Sequence, residues 1–388
     1  MLQTLAVSGY RSIRDLVVPL HGLDVITGAN GSGKSNLYRA LRLLASAGDD
    51  TVIGALARDG GLASTLWAGP ETISRAMLDG DVPVQGTRRS STIGLKLGFA
   101  TDSLGYLIDL GLPQADGSVR TLFARDPEIK REQIFSGGIA KPSSLLVERK
   151  GPSVRIRDGG WHPVGRSLAP YESVLTELSD ADAAPEVLRI RNQVRGWRFY
   201  DHFRTDPTAP VRSPRIGTRT PVLDHSGDDL AAALQTIIES GWRDRLDRAI
   251  DDAFPGSVLR VDGGEGMFTL ELRQPGMLRP LGAGELSDGT LRYLLLAAAL
   301  LTPRPPELMV LNEPETSLHV DLLPKLARLI VAANEDTQIL VVSHARGLID
   351  ALQEESDAHE HRLVKQLGQT TLEGQGLLSA PAWNWGSR

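Results

Sequence analysis

The stretch Gly28-Ala29-Asn30-Gly31-Ser32-Gly33-Lys34-Ser35-Asn36 constrains this chain most, because it fits the pattern G-x-x-x-x-G-K-[ST]. Before it, Leu23-Asp24-Val25-Ile26-Thr27 reads as a short buried strand; after it, Leu37, Leu41 and Leu44 recur at helical spacing up to a stop at Gly48. A triphosphate can be wrapped by backbone N–H groups only where side chains leave the approach open, which Gly28, Gly31 and Gly33 permit. The helix that begins near Lys34 points its partial positive end at the phosphates. The loop residues Asn30, Gly31, Ser32, Gly33 and Asn36 are therefore candidate nucleotide contacts. Lys34 is placed to reach the β- and γ-phosphates, and the Ser35 hydroxyl to ligate Mg²⁺. The competing reading is a glycine-rich turn before an amphipathic helix, with no ligand.

With 388 residues and 41% hydrophobic content, the chain can bury a full core as two lobes, or as one large domain with an insertion. The net charge of −6 rules out a uniformly basic surface, so any nucleic-acid contact needs a local patch. Cysteine is absent, which excludes disulfides, thiolate metal sites and cysteine nucleophiles together. The longest apolar run, Leu291 to Leu301, is broken by Arg292 and is too short to span a bilayer, and Met1-Leu2-Gln3-Thr4 opens no signal peptide. A cytoplasmic protein with no membrane partner is expected.

Leu2 to Val7 and Asp15 to Pro19 read as strands leading into the nucleotide strand, and Gly54 to Pro83 as irregular text. Ile93, Leu95, Leu97 and Phe99 alternate, as do Tyr106, Ile108 and Leu110, which predicts an antiparallel β-lobe over roughly residues 85–165. Helices are expected at Tyr171 to Leu178 and Pro185 to Val194, and a long one at Asp228 to Phe254, followed by a hairpin from Val258 to Leu272. Between them Trp197, Phe199, Tyr200 and Phe203 are interleaved with Arg189, Arg191, Arg195, Arg198, Arg204, Arg212, Arg215 and Arg219. This segment is either a face for nucleic acid or a set of core aromatics with solvated or acid-paired arginines. Trp383 and Trp385 are expected to pin the segment around them onto the body or a neighbour.

The second half of the site follows. Gly284-Glu285-Leu286-Ser287-Asp288-Gly289-Thr290 precedes an apolar helix, and Glu307 to Leu311 is a buried strand ending in Asn312-Glu313-Pro314-Glu315. Gln338 to Val342 is another strand, ending in Ser343-His344. Taken with the phosphate loop, Leu286–Thr290, Asn312–His319 and Ser343-His344 resemble the motif set of an ABC-type ATPase head of the RecF and SMC kind. The chain is most similar to bacterial predicted ATPases of the AAA-type ATPase core group. The implied fold is α/β, a P-loop NTPase head with an antiparallel β-lobe and an inserted helical segment. The head would comprise residues 1–60 and 222–388, and the insertion residues 61–221.

That resemblance implies ATP and Mg²⁺ as cofactors, Glu313 as the residue that polarises the attacking water, and His344 as the γ-phosphate switch. Ser287 and Gly289 would belong to the signature that meets ATP held by a second copy, with Thr316, Ser317 and Leu318 beside it. The active form would be a head-to-tail homodimer closing on ATP and acting on a partner, DNA or a DNA-bound protein, in repair or defence; a nuclease effector would be a separate chain. Two positions depart from the family pattern. The metal-holding Asp before the catalytic acid is Asn312, whose carbonyl can still accept from a metal-bound water but lacks the charge. The Q-loop residue is open among Gln85, Gln114 and Gln133. The Asn312 departure motivates a second reading, a nucleotide-gated binding module with little or no turnover.

Overall fold

A computed structural model describes residues 1–84, 93–113, 122–178, 184–376 and 379–386. The chain opens with β1 (Leu2–Tyr10), β2 (Ile13–Pro19) and β3 (Leu23–Gly28). It divides into two compact units, residues 1–21, 26–197 and 361–388 in one, and 22–25 with 198–360 in the other.

In the first unit β1 pairs antiparallel with β2 on one side and with β4 (Leu95–Thr101) on the other, Val7 facing both Leu16 and Leu97. The meander continues through β5 (Leu104–Gly111), β6 (Glu128–Ser136), β7 (Leu145–Lys150), β8 (Ser153–Asp158) and β9 (Gly160–Pro163), giving eight antiparallel strands in the order β2-β1-β4-β5-β6-β7-β8-β9. The alternation read at 93–110 is therefore a sheet, and it is continuous with the N-terminal strands. β1 and β4 share one ladder within this unit. The loop helix Lys34–Ser46 buries Leu37, Leu41 and Leu44 as its spacing requires. Within the stretch expected to be irregular, Val52–Arg58 is helical, with Val52 and Leu56 one turn apart on the buried face. The second helix expected before the arginine segment spans Pro185–Gly196, whereas the first shrinks to Val174–Glu177.

That shortened segment is held to the sheet by buried charge. Arg149 and Glu132, both with fully buried side chains, form an ion pair at 3.0 Å. Glu132 also accepts from Tyr106 Oη at 2.7 Å, Ser173 Oγ at 2.6 Å and the Val174 N–H at 3.0 Å, while Arg149 donates to the carbonyl of Ala169 at 2.8 Å. Burial, with the Glu132 charge added to it, pushes the Tyr106 phenol well above its ordinary range. Trp383 packs edge-on against Phe135, with ring centres 6.0 Å apart, and Asn384 donates to the Ala140 carbonyl at 3.0 Å, so this tryptophan segment is pinned to the β-lobe as its composition suggested.

The second unit carries β10 (Arg198–Tyr200), β11 (Arg215–Ile216), β12 (Val258–Asp262), β13 (Met267–Arg273), β14 (Leu281–Gly282), β15 (Leu308–Asn312) and β16 (Gln338–Val342). β10, β15 and β16 run parallel, with Tyr200 beside Leu311 and Leu311 beside Val341, so their carboxyl ends lie together. β12 and β13 form the expected hairpin. The helix expected over 228–254 is two helices, Leu230–Ile237 and Arg243–Ala253, joined by a wide turn at Ile238–Trp242. The turn exists because Gly241 takes φ +85°, which helical residues cannot adopt. The core is built from Leu291, Leu294 and Leu295 of helix Asp288–Leu300, Leu326 and Ile330 of helix Leu323–Ala333, Leu348 and Leu352 of helix Arg346–Glu355, and strand residues Met309, Leu311 and Val341. The chain then returns to the first unit, where β17 (His359–Gln366) and β18 (Gln369–Leu372) form an antiparallel hairpin. No helix among the described residues is long and apolar enough to cross a membrane.

Replacing Glu132 by Ala leaves the Arg149 guanidinium buried without its counter-charge, a change that costs about 3–5 kcal/mol in comparable sites. The expected result is a marked fall in the urea midpoint of unfolding, followed by tryptophan fluorescence.

Candidate functional site

In the first unit, β3 ends at Gly28 and the helix starts at Lys34, so residues 29–33 must reverse the chain in five positions. They do so with Gly28, Gly31 and Gly33 at φ +141°, +78° and +113°. A Cβ on Gly33 would lie 2.1 Å from Thr370 Oγ1, and one on Gly28 2.4 Å from the Leu363 carbonyl, so both positions require glycine. A Cβ on Gly31 would meet nothing within 4 Å: there the requirement is conformational and the space over the loop is open. A relay of hydroxyls holds the loop. Asn36 Nδ2 donates to Ser12 Oγ at 2.7 Å, Ser12 Oγ shares a 2.7 Å hydrogen bond with Thr370 Oγ1, and Thr370 Oγ1 donates to the Ser32 carbonyl at 2.7 Å.

Lys34 is buried, and its Nζ donates to the carbonyls of Gly28 at 2.6 Å and Ala29 at 3.3 Å, folded over the loop that it would share with a phosphate. Asn30, Gly31 and Ser35 are exposed, while Ser32 is buried with its Oγ lacking a hydrogen-bond partner. Open space over Gly31, an ammonium at the loop and an exposed hydroxyl on the first helical turn fit a nucleotide phosphate and a divalent ion. Tyr10 is a core residue bonded through its hydroxyl to Asp59, so it offers no face to a base.

In the second unit the parallel strands deliver the acidic stretch. Glu313 follows the last residue of β15, with φ +47° and its N–H bonded to the Val342 carbonyl at 2.7 Å; its side chain is 43% exposed, open to water. His344 Nδ1 lies 3.6 Å from Glu313 Oε1 and 3.6 Å from Glu315 Oε1. Glu315, which sequence reasoning gave no role, is buried and organises this corner. Its Oε1 accepts from Ser343 Oγ at 2.6 Å and from the His344 N–H at 3.2 Å, while Oε2 is buried without a partner. Asn312 Nδ2 donates to Asp201 Oδ1 at 2.7 Å. Arg292 is buried in helix Asp288–Leu300, its Nη2 donating to the main-chain carbonyls of Asp201 at 3.0 Å and Glu313 at 3.2 Å. Burial lowers the pKa of this guanidinium, and the charges of Asp201, Glu315 and Glu313 oppose that shift. The one sign of Arg292 in the sequence was its interruption of an apolar run.

Ser287 is exposed and caps helix Asp288–Leu300, its Oγ accepting from the Thr290 N–H at 3.1 Å. A Cβ on Gly289 would lie 2.7 Å from the Ser317 carbonyl, so this glycine is what lets the start of helix Asp288–Leu300 approach the Thr316–Leu318 loop. Thr316 and Ser317 are exposed, the latter at φ +66°. Arg212 clasps the strand of residues before the cap, donating to the Leu286 carbonyl at 2.7 Å and pairing with Asp288 at 2.6 Å. Of the Q-loop candidates, Gln133 is a buried strand residue bonded to Glu148 at 2.9 Å, while Gln85 and Gln114 lie outside the described residues.

Residues 25–350 match the family described as "AAA domain, putative AbiEii toxin, Type IV TA system". The chain belongs to this family. No curated protein matches it. Among solved structures it is similar to an SMC head bound to the C-winged helix domain of ScpA, at 15% identity and a TM-score of 0.51 over 98% of this chain and 99% of that one. The SMC head domain from Thermotoga maritima aligns at 15% identity and a TM-score of 0.44 over 97% and 99% of the two chains. The first likeness is one of fold, and together with the family match it supports the fold of an ABC-type ATPase head of the RecF and SMC kind.

In this AAA-domain protein the aromatic and arginine segment is not the stacking face considered above. Trp197, Phe199, Tyr200 and Phe203 are all buried, and Arg195, Arg204, Arg212, Arg215 and Arg219 pair with Asp49, Asp206, Asp288, Asp228 and Glu239. Phe199 and Tyr200 serve the core because β10 pairs along one side with β15, and a strand beside β15 needs bulky apolar side chains. For Arg212→Ala the expected loss is about 1–3 kcal/mol, since buried carbonyls lose a charged donor. Urea titration would read it, with greater proteolytic nicking near residue 284 as the local sign.

Proposed function

We propose that the chain binds and hydrolyses Mg-ATP and closes head to tail with a second copy around two nucleotides. In this reading the loop amides from Asn30 to Asn36 and Lys34 hold the phosphates, and Ser35 with Asn312 holds Mg²⁺. Bound magnesium would neutralise charge that develops on the phosphates. Glu313 orients and deprotonates the attacking water, and His344 reports the γ-phosphate to it. Ser287 and Gly289 present the signature to the ATP of the other copy. The observation that carries the proposal is Glu313: a carboxylate open to water at a strand end, within 3.6 Å of the His344 ring, on a backbone held left-handed.

The head would comprise residues 1–60 and 222–388, with 61–221 inserted and adapted to a partner. That partner is DNA or a DNA-bound protein, in repair or defence, with any nuclease on a separate cytoplasmic chain. This part rests on the kinship with RecF- and SMC-type heads, since the arginine segment supplies no free stacking surface. A second reading, a nucleotide-gated module that hardly turns over, is favoured by the uncharged Asn312 beside Glu313.

Light scattering with and without Mg-ATP, with phosphate release followed on the same samples, separates the two. The ATPase reading expects wild type to release phosphate steadily, Glu313→Gln to lose at least about a hundredfold in turnover while accumulating as a dimer, and Ser287→Arg to stay monomeric. A wild type that dimerises on ATP without releasing phosphate establishes the module, and a mass indifferent to nucleotide overturns both.

A further inference from the structure

Asn312 and Asp201 lie 111 positions apart in the chain, yet their side chains meet at 2.7 Å. β10 and β15 are parallel neighbours with Tyr200 beside Leu311, so each strand's next residue is carried to the same edge. Both ends are fixed from below by Arg292, which holds the main-chain carbonyls of Asp201 and Glu313 at once. We propose that Asp201 is a positioning residue of the magnesium site, supplying through Asn312 the negative charge and the orientation that the acid strand itself lacks. The inference deepens the ATPase reading and rests on it.

The chemistry is that of an amide against a carboxylate. A carboxylate only accepts, so Asp201 forces the Asn312 amide to present Nδ2 to it, and the planar amide then turns Oδ1 the other way. Oδ1 becomes the atom available to a water on the metal, polarised by the charge behind it. Charge accounting agrees. The charges of Asp201, Glu313 and Glu315 all act on the guanidinium of Arg292, so the corner keeps three carboxylates although position 312 carries none. An Asp at 312 would set two acceptor-only carboxylates at hydrogen-bond distance with no donor between them. Asn at this position is thus the partner that Asp201 requires.

The test uses Mn²⁺ with a non-hydrolysable ATP analogue, free Mn²⁺ being read by electron paramagnetic resonance. Analogue affinity in EDTA and the thermal midpoint are measured on the same proteins. Asp201→Asn keeps a hydrogen bond to Asn312 but removes the charge. It is expected to weaken Mn²⁺ binding about tenfold or more, with analogue affinity in EDTA unchanged. The exchanged pair Asp201→Asn with Asn312→Asp restores one carboxylate and one amide and is expected to recover most of the loss. Wild-type Mn²⁺ affinity in Asp201→Asn overturns the inference and leaves the ATPase reading standing. Should that variant fail to fold, an exchanged pair that folds but binds Mn²⁺ tenfold more weakly than wild type overturns it equally. Wild type that binds the analogue but no Mn²⁺ overturns the ATPase reading and the inference with it.

Discussion

A guanidinium withdrawn from water must find acceptors, and in this protein Arg292 finds them at two strand ends. The arginine belongs to the helix that Ser287 caps, and its acceptors are the carbonyls of Asp201 and Glu313. Helix Asp288–Leu300 and the strand end that carries Glu313 are therefore tied at one charged hydrogen-bonding centre. Glu313 needs that restraint, because a non-glycine residue at φ +47° is held there only by its surroundings. Its own N–H is spent on the Val342 carbonyl, which ties it to β16 and to the approach of His344.

The glycine loop at residues 28–34 solves a different problem in the first unit. Its fold is dictated by backbone conformation at three glycines and by the hydroxyl relay from Ser12 through Thr370, with nothing within 4 Å of a Cβ placed on Gly31. Thr370, far along the chain, closes the relay to Ser32, so the β17–β18 hairpin is part of how the loop keeps its shape. Glu132 and Arg149 play the matching role in the β-lobe, where one buried ion pair gathers a phenol, a hydroxyl and several main-chain groups.

Much of this could be read before the structure. The loop, its strand and its helix fell where glycine positions and leucine spacing put them, and the parallel strands around Glu313 and Ser343 are the apolar runs identified in the sequence. The misreadings have physical causes. The helix over 228–254 is broken because one glycine outweighs a continuous apolar stripe. The arginine-rich aromatics stay open in the sequence between a nucleic-acid face and a core set with acid-paired arginines, because composition does not say which side chains the fold will bury, and the structure buries all four aromatics. Glu315 passed as motif text because its work is done on Ser343 and His344, residues of another strand end.

Features that depend on local conformation were determined by the sequence alone: the glycine-defined loop, the lysine and serine at the head of its helix, the cap at Ser287 and the order of the motifs. A few consecutive residues suffice for each, since turn, cap and helix are set by neighbouring dihedrals. Only the tertiary structure decided that Arg292 is buried under Asp201 and Glu313, that Gly289 meets Ser317, and that Asn312 is backed by a carboxylate 111 positions away. Those contacts follow from which strands become neighbours and in what register, and register is settled by the packing of the whole unit.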